Sequence, residues 1–118
     1  MVGAPFEDVN DVIDAGAVFT FRSPADPSGW GNQMWTQANA FAGSWPAAYD
    51  RFGWTLAIAE YSPFYPWLAI GTPYEDVNGR ADAGAVQILY YDNSIRALNT
   101  IGQQLWTQDS TGILDAAE

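Results

Sequence analysis

Three residue types are missing from this 118-residue sequence: cysteine, histidine and lysine. Without cysteine there are no disulfides and no thiolate metal site, and the redox compartment is left open. Without histidine the commonest general base and the commonest metal ligand are gone. A zinc centre is therefore not expected, and only a cation held by oxygen ligands stays within reach of the composition. The basic residues are four arginines, set against fourteen carboxylates, for a net charge of −10. That balance argues against a nucleic-acid partner, which is gripped through Lys and Arg. No apolar run approaches the roughly 18 residues that a membrane span requires. The opening MVGAPFEDV has neither the basic nor the apolar region of a signal peptide. For most of the acidic residues a solvated surface is role enough.

What the sequence has is apolar bulk. Hydrophobic residues make up 48%, with six Trp, six Tyr and six Phe, far too apolar for a disordered chain. The length suits a single domain with a core of its own. Eleven Gly and seven Pro are scattered along the chain, as expected of short strands joined by turns.

The chain also repeats itself. PFEDVNDVIDAGAV from Pro5 returns as PYEDVNGRADAGAV from Pro73, with ten of the fourteen positions identical. Val2–Phe21 aligns with Ile70–Leu89 at a constant offset of 68, and QMWTQ (Gln33–Gln37) matches QLWTQ (Gln104–Gln108) at an offset of 71. The three extra residues fall in the connector, where a repeated structural unit tolerates insertion. AGAVFTF, AGAVQILYY and WLAIG are β-rich runs bounded by turn residues. FGWTLAIAE, flanked by Gly53 and by Ser-Pro, also reads as a strand. Strands are expected near 2–5, 16–21 and 33–37, then near 52–59, 67–71, 84–91 and 103–108. No segment carries convincing helical periodicity. The second set has four members and the first has three, because nothing in the first matches RFGWTLAIAE.

The run DRFGWTLAIAE…WLAIGTPYEDVNGRADAGAVQILYY resembles an FG-GAP repeat, the blade unit of integrin alpha-subunit propellers and of many bacterial propeller proteins. The naming residues are Phe52-Gly53 with Gly71-Thr72-Pro73, and the first copy keeps Gly3-Ala4-Pro5. The resemblance implies an all-β chain of antiparallel β-propeller blades: an incomplete blade and connector over residues 1–50, and a full blade and tail over 51–118. It also implies a non-catalytic binding or scaffold segment for protein or glycan recognition, in an extracellular or cell-surface setting. Two blades cannot close a ring and would leave apolar faces in water, so a homo-oligomer, dimer or larger, is expected. The alternatives are a small lectin-like assembly and, more remote, a carboxylate-based glycoside hydrolase.

The family's calcium loop would fall in AEYSPFYPWLAIG, where Glu60 is the sole carboxylate and Ser62 a poor second ligand. One carboxylate does not make a calcium site, so the expectation is that the ion is lost, with no cofactor. In its place YSPFYPW is expected to form an aromatic plug, with Trp67 buried at the head of its strand. The repeated acidic turns offer Glu75, Asp76 and Asp82 as weak metal candidates beside their first-copy counterparts. Turn chemistry explains them better, since Asp and Asn bond nearby backbone N–H groups. Trp35 and Trp106, equivalent by repeat, are expected to pack between blades. Trp45 and Tyr49, in the connector, are the best ligand-contact candidates.

Overall fold

The computed structural model describes residues 1–21, 32–41, 45–60 and 66–113, with the backbone alone at Glu60. The described chain forms seven strands in two antiparallel sheets. The first sheet has the order β1-β2-β3, from β1 (Val2–Ala4), β2 (Ala17–Thr20) and β3 (Gln33–Trp35). The second has the order β4-β5-β6-β7, from β4 (Thr55–Glu60), β5 (Pro66–Thr72), β6 (Ala85–Asp92) and β7 (Ala97–Trp106). A single helical turn, α1 (Gln37–Ala40), follows β3, where the Thr36 N–H donates to Asn39 Oδ1 at 2.7 Å. The corresponding turn after β7 is closed the same way, by Thr107 N–H to Ser110 Oγ at 2.9 Å.

The repeat is reproduced in register as well as in sequence. Gly3 pairs with Val18 and Val18 with Trp35. Their counterparts Gly71, Val86 and Trp106 pair in the same order. The turns between the paired strands also match. Val9 and Val12 form a two-residue bridge, as do Val77 and Arg80. The Asp8 carboxylate accepts from Asp14 N–H at 2.9 Å, and that of Asp76 from Asp82 N–H at 3.0 Å. Asn10 and Asp14 have positive φ, as do Asn78 and Asp82. These are the residue types that tolerate the left-handed region.

Two strand starts and one burial differ from the sequence reading. β4 starts at Thr55 rather than near 52, because Gly53 has φ +86° and Trp54 N–H donates to Arg51 O, closing a turn. β7 starts at Ala97 rather than near 103: Asp92 Oδ1 accepts from Ser94 N–H and Ser94 Oγ, turning the connector into a hairpin. The surplus residues of the second copy are taken up within this longer ladder as a register shift, where Ile88 faces Gln104 but Tyr90 faces Asn99. Trp67 is half-buried, not buried, and lies second in β5. Residues 61–65 of YSPFYPW and Ser62 lie outside the described residues.

The core lies between the two sheets. Val18, Trp35 and Ala40 of the first unit meet Phe52, Leu68, Ile70, Leu89 and Leu98 of the second. Alternation along β5 sends Leu68, Ile70 and Thr72 inward, as period-two strands require. Gln33 adds a polar clasp: its side-chain amide donates to Leu98 O at 2.9 Å and accepts from Leu98 N–H at 3.2 Å.

The sheets therefore stack front to back. The row Gly3–Val18–Trp35 of the first sheet faces the second, whereas the equivalent row Gly71–Val86–Trp106 faces away from it. Val18 is 0% exposed and Val86 41%; Trp35 is 7% exposed and Trp106 42%.

Candidate functional site at the junction of the two units

The junction is built around Asp50-Arg51-Phe52-Gly53, which leads into β4. Its backbone docks on the first unit's turn: Tyr49, Arg51 and Phe52 N–H groups donate to the carbonyls of Ile13, Asp14 and Ala15 at 3.0, 3.2 and 2.9 Å. Phe52 is fully buried. The approach is so close that a Cβ on Gly3 would lie 2.1 Å from Gly53 O, and one on Gly16 2.3 Å from Phe52 O. Gly3 and Gly16 of the first copy are thus what lets the Phe-Gly turn seat.

Arg51 turns outward into an aromatic box. Its guanidinium carbon lies 5.0 Å from the Phe6 ring centroid, 4.9 Å from Tyr74 and 5.4 Å from Trp54. Phe6 and Tyr74 are repeat counterparts, and Trp54 meets each edge-on. Cation–π attraction of this kind is worth about 0.5–2 kcal/mol per contact.

Behind the Phe52-Gly53 turn sits a polar trio. The Gln37 amide donates to Glu75 Oε2 and to the Asp50 carboxylate, while Asp50 Oδ2 also accepts from Ala47 N–H at 2.8 Å. Burial raises both carboxyls above their usual range, and Glu75, with the Asp50 charge added, is pushed up to about 7. A carboxyl that keeps its proton near neutrality can act as an acid. Here, however, Asp50 is buried and Gln37 bonds to both carboxylates, an arrangement that suits holding two units together. Among the described residues no group of three acidic residues is placed to hold a metal ion.

Glu75 therefore belongs to the junction, whereas Asp76 and Asp82 are tied up closing their turn. Trp45 is 81% exposed. Tyr49 is exposed with φ +72°, and no ring contact among the described residues joins it to Trp45. Gln37, Asp50 and Arg51 were not singled out from sequence. The signal that points to Gln37 is its place in the repeated QxWTQ. A separate cleft of about 280 Å³ opens at the other end of the interface, between Met1, Phe21, Ile58, Trp67 and Tyr91. Comparison with protein-family models, with curated proteins and with solved structures finds no match.

Proposed function

We propose that the chain is a non-catalytic pair of FG-GAP-type propeller blades, a binding or scaffold segment for protein or glycan recognition that works by self-association. The observation that carries this reading is the front-to-back stacking. A sheet that presents unlike faces to its two neighbours makes a heterologous contact, and such contacts propagate until a ring closes or a filament grows. Both terminal faces are apolar and open: Val2 and Met34 are exposed on the first sheet, Val86 and Trp106 on the second. Exposed patches of this sort mark interaction surfaces.

Light scattering and sedimentation at micromolar concentration test it. The expected result is a species heavier than the 12.9 kDa chain, reduced to the monomer by Met34→Asp or Trp106→Asp. A stable, soluble monomer at all concentrations overturns the self-association reading. A second reading, carbohydrate binding, is favoured by Trp45, the most exposed large hydrophobic side chain among the described residues. Glycan-array binding that disappears in Trp45→Ala, with the fold intact, would support it.

A further inference from the structure

We infer that the cleft at the far end of the interface binds a small apolar molecule carrying one carboxylate, a single-ring or short-chain organic acid. The cleft lies between the sheets rather than on their outer faces, so this inference does not rest on self-association.

Strand pairing places the walls. Thr20 and Gln33 pair two residues beyond Val18 and Trp35, and so share the face that meets the second sheet. On the other side Ile58 pairs with Leu68, and Leu68 with Leu89. Leu68 and Leu89 are sealed, yet Ile58, at the end of the same inward row, is 58% exposed. Phe21, the residue after β2, is equally open at the same cleft. Tyr91 and Leu98, paired across β6 and β7, complete an apolar lining. Large side chains that line an interior space and still meet solvent offer contact area that a ligand can take from water.

The polar lining selects the ligand. Thr20 Oγ1 donates to Gln33 O at 3.4 Å, and the Gln33 side-chain amide is engaged by Leu98 on both its atoms. Arg96 is the one charged side chain among the described lining residues. It stands exposed in the turn before β7, and no carboxylate among the described residues pairs with it. Its φ is +52°, a conformation that glycine or asparagine adopts more readily. Turn chemistry alone does not ask for arginine here. A guanidinium beside an apolar cleft, in a chain of net charge −10, is a counter-charge for an anion. Its planar fork matches a carboxylate with two parallel hydrogen bonds. At about 280 Å³ the cleft is just smaller than the roughly 300–1,000 Å³ of pockets that take drug-sized ligands. One ring or a short chain therefore fills it.

The test uses the full chain with phenylacetate as the probe and phenylacetamide as its neutral twin, followed by methyl and amide chemical shifts. Saturable shifts are expected at Ile58, Leu68 and Leu98 with phenylacetate, and binding of the amide should be at least fivefold weaker. Arg96→Asn, a residue type suited to the turn, should weaken phenylacetate binding to the level of the amide, and Arg96→Lys should restore part of the loss. Ile58→Asp, at an exposed position, should weaken it at least tenfold by setting a like charge in the cleft. No saturable shift at these residues, equal binding of the two probes, or indifference to both Arg96→Asn and Ile58→Asp overturns the proposal. Met34→Asp and Trp106→Asp lie outside the cleft and should bind phenylacetate as the parent chain does, whether or not that chain self-associates. Loss of binding in these two variants would assign the cleft to the assembly and overturn it as a site of the single chain.

Discussion

The two units share a sequence, a register and a turn, but differ in their surroundings. Val18 and Val86 hold the same position in their sheets, as do Trp35 and Trp106; in each pair the first is sealed and the second open. Burial here is a property of having a neighbour, not of the residue or its strand. In repeat architectures much of the stability resides in such interfaces between units. The first sheet, one strand short, is covered on one face by the second, while the complete second sheet has an uncovered face.

Substituting matched positions breaks this comparison most directly. Val18→Asp should cost several kcal/mol or abolish folding, because it buries an unpaired charge against Gly53. Val86→Asp should change stability by no more than about 0.5 kcal/mol in the monomer. Denaturant titration of both reads the difference, and equal costs would mean the open face is covered in solution.

Phe52→Ala should cost about 3–5 kcal/mol, as large-to-small changes of buried aromatics do. It should also detach the second unit from the first, seen as a broadened unfolding transition. Trp106→Ala, on the open face, should cost about 1 kcal/mol or less.

Glu75 separates the units by pH. Its carboxyl titrates near 7 when folded against 4.5 as a free side chain, so its contribution to stability is fully present below about pH 4.5. That contribution is lost as pH rises through 7, because only the unfolded chain ionises freely. Between pH 5 and pH 8 the loss should be about 1–2 kcal/mol, after allowing for partial solvent exposure. Glu75→Gln should flatten the profile. Smallest of all is the effect of calcium: thermal melts in millimolar calcium and in chelator should coincide, and an upward shift with calcium would point to the Glu75–Asp82 turn.

The three-plus-four strand pattern was legible because both signals that encode it are local: alternation within strands and near-identity between copies. The turn chemistry of Asp8 and Asp76 was legible for the same reason. The Phe52-Gly53 turn was not. FGWTLAIAE reads as one apolar run, and only the left-handed Gly53 reveals that its first three residues form a turn. The Gln37–Asp50–Glu75 trio was hidden because Gln37 and Glu75 stand 38 positions apart and meet only where one unit lies on another. Trp106 shows the limit of reading by repeat: equivalence to Trp35 led to the expectation that both pack against a neighbouring sheet, yet Trp35 is buried and Trp106 is 42% exposed, because exposure depends on what stacks beyond each row.

The order of parts along the chain gives Phe52 a role in time. The first-unit turn and glycines it docks on precede it in the chain, and the strands of the second sheet follow it. A chain emerging from synthesis can dock Phe52 on a waiting surface and then use β4 as the first edge on which β5, β6 and β7 add in turn. Folding of this kind is directional, each unit seeding the next. Folding in this order predicts that Phe52→Ala slows folding more than it speeds unfolding, which stopped-flow refolding and unfolding rates would check.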